Sequence, residues 1–250
     1  MKAIILCAGK GERLKPLTEN IPKPMVDINN KPVLEYFILL CKKHRINEIA
    51  INTSYIPEKI KNYFGDGSKF GVKIKYSFEP KLLGTAGALN NFKDFLTETF
   101  FVIYGDNLTN LNLSKMLRYH RDKKAVATLY IYREKMINEK TSIGCVVIDE
   151  NNKIMEIIEN PNKKEKKRIK KIPEKRKFIN AGIYIFEPEV LQLIQKGYSN
   201  FSYDIFPKML ELNKPLYGYQ EDCYFKEIGQ MLRYSKAKQD IESGKIKLNL

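Results

Sequence analysis

Gly9 and Gly11, ringed by Lys10, Arg13, Lys15 and Lys23, give the first loop of the chain the makings of an anion cradle. The loop runs from Leu6 to Pro24 as L-C-A-G-K-G-E-R-L-K-P-L-T-E-N-I-P-K-P, directly after an apolar run, Lys2 to Cys7, that reads as a strand. Glycine lets backbone N–H groups approach a phosphate with no Cβ in the way, and the basic side chains add charge. Two familiar phosphate loops are excluded. The G-x-x-x-x-G-K-[ST] spacing is missing, and a dinucleotide fingerprint needs a third glycine where Leu14 stands. The acidic and amide candidates follow later apolar runs: Glu79, Asp106, Glu159, Asn180 and Glu227. In an open parallel sheet ligands bind beyond the carboxyl ends of the strands, so such residues converge if those runs are strands.

The elements that must position them can be read in order. Asn29 to Pro32 looks like a helix start, with Leu34, Phe37, Ile38 and Cys41 at helical spacing behind it. Glu48 to Asn52 reads as a short strand, and Pro57 to Phe64 as a helix opened by proline and stopped by Gly65. Val72–Ser77 and Phe100–Tyr104 are further strands, Leu113–Lys123 a helix, and Ala125–Tyr132 another strand. This β-α-β-α order predicts a parallel sheet with helices on both faces. Beyond it, Gly144–Ile148 and Ile154–Glu159 flank a D-E-N-N turn and read as a hairpin. Lys163 to Lys177 is so basic that we expect an exposed, mobile loop. Phe178–Phe186 resumes as strand, and helices are expected from Pro188, over Tyr203–Leu212 and over Met231–Ser243.

Bulk properties narrow the class. The 250 residues are 43% hydrophobic and 29% charged, which suits one large soluble α/β domain. No apolar stretch reaches the length of a membrane span, and the first run is too short for a signal peptide, so a cytoplasmic protein without membrane partners is expected. Cys7, Cys41, Cys145 and Cys223 lie far apart and only two histidines occur, which argues against a zinc site or a disulfide framework. The net charge of +15 suits anionic ligands, nucleotide or nucleic acid alike. Aromatic residues do not interleave with the basic stretch as a stacking surface requires, which speaks against nucleic acid as a partner.

Taken whole, G-x-G-x-R-x-x-P-x-T-x-x-x-P-K-P from Gly9 to Pro24 resembles the signature of the sugar nucleotidyltransferases, the enzymes that make nucleotide sugars. Glu79 to Ala88 resembles their E-x-x-P-L-G-T-A-G-A segment, with Leu82 for the usual Pro. Tyr104-Gly105-Asp106-Asn107 resembles their G-D step, Ile157 to Pro161 their F-x-E-K-P, and Asn180 to Tyr184 their N-x-G-I-Y. Gly144 matches the glycine of their Y-G-V strand, and Phe225 to Gln230 stands where they have W-x-D-I-G-T. The chain departs from them at Asn160 for Lys, Glu227 for Asp and Gln230 for Thr.

The resemblance implies a Rossmann-like (GT-A-type) α/β fold: a mostly parallel mixed sheet with helices on both faces and a small antiparallel sugar-binding subregion. It implies one domain over 1–250, made of a nucleotide-binding half (1–135), a sugar-phosphate-binding half (136–230) and a C-terminal helix (231–250), with no β-helix domain appended. Leu6, Ala8, Gly9, Gly11, Glu79, Gly84, Thr85 and Ala86 would then hold the nucleotide. Asp106, Gly144, Glu159, Asn180 and Lys163 would hold the sugar phosphate, Lys163 standing in for the missing lysine at position 160. Arg13, Lys23 and Asp106 would be catalytic, with Mg²⁺ as cofactor on Asp106 and Glu227. The partners would be an NTP and a sugar 1-phosphate, and the chain could form a homodimer. G-T-A-G-A-L is more like the mannose-1-phosphate guanylyltransferase branch, pointing to GTP and mannose 1-phosphate. Uridylyl-, cytidylyl- and thymidylyltransferases, non-sugar phosphates and a non-catalytic nucleotide-sugar-binding protein stay open.

Overall fold

The computed structural model of the chain describes residues 1–133, 144–244, 246 and 248. The expected division near 135–136 lies outside the described residues. The strands are β1 (Lys2–Leu6), β2 (Asp27–Ile28), β3 (Lys31–Pro32), β4 (Glu48–Thr53), β5 (Lys73–Phe78), β6 (Phe100–Tyr104) and β7 (Asn107–Thr109). They continue with β8 (Ala127–Tyr132), β9 (Cys145–Ile148), β10 (Ile154–Ile158), β11 (Lys177–Phe186), β12 (Leu216–Tyr219) and β13 (Phe225–Glu227). The helices are α1 (Val33–Lys43), α2 (Pro57–Phe64), α3 (Gly84–Gly87), α4 (Leu113–Asp122), α5 (Lys163–Lys171), α6 (Phe206–Glu211) and α7 (Met231–Glu242).

Nine strands form the main sheet in the order β10-β9-β11-β6-β1-β4-β5, with β8 paired to β11 and β12 to β8. The β6-β1-β4-β5 block is parallel, as the alternation of strands and helices requires. Adjacent residues of β1 fall in different cores. Ala3 and Ile5 pack with α1, α4 and α7, whereas Ile4 packs with Leu89, Phe92 and α6. Period-two alternation on strands buried on both faces produces this split, and it puts helices on both sides. Ten-residue β11 does what no periodicity announced. It inserts antiparallel between β6 and β8, so two strands read as neighbours in one parallel run are separated by a third from the second half.

The expected hairpin is β9–β10, antiparallel, and it pairs with the start of β11 to make the antiparallel subregion. Asn29 and Asn30 do not begin a helix. Both adopt left-handed φ angles in the turn between β2 and β3, and α1 starts only after Pro32. The basic stretch is likewise not a loop. α5 is N-capped by Asn162, whose side chain accepts from the Lys164 and Glu165 N–H groups while Glu165 reaches back to the Asn162 N–H. A capping box satisfies two orphan donors, and Ile169 and Ile172 then pack on Cys145, Val147 and Ile158, so the lysines stand on the outer face of a docked helix. Among the described residues no helix is long and apolar enough to cross a membrane.

Candidate active site

β1, β4 and β6 run parallel in register, so the chain leaves the sheet at one edge after Leu6, after Asn52 and Thr53, and after Tyr104. Two adjoining cavities, about 510 and 550 Å³, lie there. Arg13, Thr85, Tyr104, Asp106, Tyr198 and Asn200 line both, so the two make one cleft with a shared middle.

The first cavity is walled by the glycine loop. Leu6, Ala8, Gly9 and Gly11 line it, together with Glu79, Gly84 and Thr85. Gly11 has φ of +70°, and a Cβ there would stand 2.9 Å from that of Lys23, so the loop closes only with glycine. Thr18 locks the turn by donating its hydroxyl to the Gly11 carbonyl at 2.8 Å. Beneath the loop lies a relay through Asn52, a residue that the motifs did not single out. Asn52 accepts from the Cys7 N–H and donates to Glu79 Oε1, both at 2.8 Å, while Glu79 Oε2 accepts from the Leu83 N–H at 2.9 Å. Glu79 is 1% exposed, so its carboxylate braces the loops around the cavity more than it faces into it. Asn52 could have been found by the strand-end rule itself, since it lies at the carboxyl end of β4.

Ala86 departs from expectation. It is fully buried in the second core, does not line the cleft, and spends its N–H on the Ser199 carbonyl at 2.9 Å. Thr85 also ties this segment down. Its N–H and hydroxyl both donate to Asn200 Oδ1, and its hydroxyl accepts from the Phe201 N–H. The small residues of G-T-A-G-A thus let the 197–201 segment dock closely as well as shaping the cavity wall.

The second cavity gathers Gly144, Glu159 and Asn180, with Asn160, Tyr203 and Tyr184 beside them. Asn180 is fixed on both sides, donating to the Tyr184 hydroxyl at 2.8 Å and accepting from the Gly182 N–H at 3.0 Å, across a shift in the β11 register. Burial pushes the Glu159 carboxyl above its ordinary range, against a hydrogen bond from Ser202 that pulls it down. Burial also lifts the Tyr104 phenol to about 12 and that of Tyr184 further, which keeps both neutral as hydrogen-bonding groups. Lys163 lines neither cavity; it opens α5, and the helix directs that part of the chain away from the position expected of it. Asn160 instead donates to the Tyr203 hydroxyl.

Charge concentrates where the cavities meet. Lys23, 9% exposed, is ion-paired to Asp106. β7 and β13 pair with Asn107 opposite Glu227, and the Ile228 N–H donates to the Asp106 carbonyl at 2.9 Å, which brings Glu227 alongside. Glu227 Oε2 meets Arg233 Nη1 at 2.7 Å, and Oε1 accepts from the Gly229 N–H and faces Arg13 at 3.8 Å. A Cβ at Gly229 would meet the Glu227 carboxylate and the Lys23 ammonium, so the ends of both side chains would have to shift.

Asp106 and Glu227 offer oxygen donors suited to a hard divalent cation that takes one or two carboxylates and completes its shell with phosphate and water. Among the described residues no cluster of three or more acidic, histidine or cysteine ligands occurs. Asp106 is ion-paired to Lys23 and Glu227 to Arg233.

The family described as nucleotidyl transferase matches residues 2–244. The UTP–glucose-1-phosphate uridylyltransferase of Synechocystis sp. is 39% identical, with 99% of this chain and 65% of that protein covered. The mannose-1-phosphate guanylyltransferase of Mycobacterium tuberculosis is 31% identical, covering 97% of this chain and 65% of its own length. The chain therefore spans about two thirds of the length of these curated relatives. Among solved structures, HddC from Yersinia pseudotuberculosis complexed with GMP-PN is 25% identical with a TM-score of 0.77, over 96% of this chain and 99% of that one. With its Rossmann-like mixed sheet, its glycine loop and these relatives, the chain belongs to the nucleotidyl transferase family, among the sugar nucleotidyltransferases.

Proposed function

We propose that the protein couples an NTP to a sugar 1-phosphate, releasing pyrophosphate and forming an NDP-sugar. The observation that carries this reading is the cleft itself: a glycine-loop cavity and a polar cavity of similar size, joined at Lys23, Asp106 and Arg13. The glycine loop and Gly84–Thr85 take the nucleotide, and Gly144, Glu159 and Asn180 take the sugar hydroxyls.

A sugar 1-phosphate is already ionised at neutral pH, so its oxygen attacks the α-phosphorus in line without a general base. The protein's work is positioning and charge stabilisation. On nucleotide binding, Lys23 exchanges Asp106 for phosphate oxygens, and Arg13 offsets charge on the departing pyrophosphate. A divalent cation, Mg²⁺ in this reading, would neutralise phosphate charge when held by Asp106 with Glu227.

GTP with mannose 1-phosphate is the first pairing to test, on the strength of the G-T-A-G-A-L segment and the Mycobacterium relative. UTP with glucose 1-phosphate is the second, favoured by the 39% identity to the Synechocystis uridylyltransferase. Pyrophosphate release should be followed for five NTPs against a panel of sugar 1-phosphates, with Mg²⁺ and with a chelator. Turnover of one pair that stops with chelator is expected; no turnover with any pair overturns the reading.

A further inference from the structure

α5 holds together against its own charges. At about 3.6 residues per turn, Ile169 turned inward onto Cys145, Val147 and Ile158 puts Lys163, Lys164, Lys167, Lys170 and Lys171 on the opposite side, and all of them are exposed. Lys163, Lys167 and Lys171 follow one another at i,i+4 spacing, where like charges repel. Lys163 and Lys164 also stand at the N-terminal end, where the helix dipole disfavours a cation. Among the described residues Lys163, Lys164, Lys167 and Lys171 enter no ion pair. Arg168, by contrast, is engaged by Glu156 through both Nη atoms, at 3.0 and 2.5 Å.

A helix that breaks two local charge rules with no compensation from within the chain is fitted to something outside it. The capping box and the packing of Ile169 and Ile172 keep it formed and docked, so its lysines present a fixed convex face. None of these lysines lines either cavity, and no exposed large apolar side chain belongs to α5. The face therefore offers neither a pocket for an anchor residue, as protein partners need, nor an aromatic ring for a base. Its free cations are lysines, which protein interfaces deplete and which, as hydrated point charges, impose no bidentate geometry. A partner recognised by charge density alone, with no register to match, is the surface of an anionic bilayer, to which helix faces bearing roughly four to eight basic residues are drawn.

We propose that the outer face of α5 docks the protein reversibly on an anionic lipid surface. Lys163, Lys164, Lys167 and Lys171 meet the acidic headgroups, and no side chain of the helix enters the hydrocarbon. The expectation of no membrane partner followed from the lack of a spanning run, and a contact of this kind needs none. Because α5 lies outside the cleft walls, the docking stands apart from the proposed transfer reaction.

Vesicle flotation of the full chain tests it, using about one part phosphatidylglycerol to two of phosphatidylcholine, or phosphatidylcholine alone, at about 0.05 and 0.5 M salt. Two triple variants remove the same charge. One is Lys163→Gln, Lys167→Gln and Lys171→Gln on α5; the other is Lys59→Gln, Lys61→Gln and Lys73→Gln on α2 and β5, with β5 at the opposite end of the main sheet from β10. The wild type should float with the anionic vesicles at low salt, but not with the neutral ones and not at high salt. At about fivefold per lysine, the α5 triple should lose roughly 100-fold in partition and the control triple less than about threefold. The α5 triple should melt at or above the wild-type midpoint, since it relieves i,i+4 repulsion. No flotation of the wild type with anionic vesicles, or equal losses in the two triples, would overturn the docking. Binding to polyglutamate or to a DNA duplex through the same lysines, without flotation, would overturn it too and give the face to an acidic protein segment or to nucleic acid.

Discussion

Glu159 illustrates how a single side chain is set against its surroundings. Burial disfavours its ionised form, so its carboxyl titrates higher in the folded protein than in the unfolded chain. The native state therefore holds the proton more tightly. Its contribution to stability is present below the unfolded carboxylate range and is lost as pH rises through the folded value. Glu159→Gln should accordingly raise the thermal midpoint near pH 7.5 and leave it nearly unchanged near pH 4. It should also weaken sugar 1-phosphate binding about 10-fold or more, as loss of a charged hydrogen-bond partner does. Melting curves at both pH values and the KM for the sugar 1-phosphate check the two halves; a lower midpoint at neutral pH would contradict the burial account. At the other end of the cleft, Lys23 and Asp106 are one unit. Lys23→Ala and Asp106→Asn should each cut kcat on the order of 10²-fold or more, and the double variant should cost far less than their product, because contacting charges do not act independently. Additive losses would mean that the two serve separate steps.

At the level of elements, α5 separates what sequence periodicity carries from what it hides. The run from Lys163 to Lys171 has so many charges that composition alone reads as a loop, yet Asn162 and Glu165 stand at capping-box spacing and Ile169 and Ile172 supply the inward face. Asn162→Ala should cost about 1 kcal/mol of local stability, as loss of an N-cap does, and should speed amide exchange in α5 without changing that of β1 or β6. Equal protection in both proteins would show that docking of Ile169 alone sustains the helix. The parallel block β6-β1-β4-β5 was legible because β1, β4 and β6 are short apolar runs, each followed by residues with chemistry; Phe100–Tyr104 is β6 to the residue, and Glu48–Asn52 gains only Thr53. The path of β11 was not legible, since strand order depends on pairings between distant segments that local pattern does not encode. The role of Ala86 was hidden for a related reason: its motif serves both a cavity wall and the docking of Ser199, and the sequence does not say which residue does which.

At the level of the whole molecule, the cleft is assembled from both ends of the chain. Arg13 and Lys23 come from the first loop, Asp106 from the end of β6, Glu159 and Asn180 from the antiparallel region, and Glu227 and Arg233 from the last strand and helix. A nucleotide that contacts the glycine loop and the Asp106–Glu227 crossing at once bridges segments that separate on unfolding, so binding is linked to global stability. For a ligand with no affinity for the unfolded chain, saturation at 100 times Kd adds about 2.7 kcal/mol, roughly 5–10 °C in a domain of this size. The protein should therefore show an upward shift of that order with its preferred NTP and Mg²⁺, and a much smaller one with chelator. Lys23→Ala and Asp106→Asn should lose most of the shift, because they remove charges at the crossing. Asn162→Ala should keep it, because α5 lies outside the cleft walls. Scanning fluorimetry across five NTPs reads out the base preference without requiring turnover. A shift of equal size with every NTP would assign the stabilisation to the polyphosphate alone and leave no base preference in the cleft.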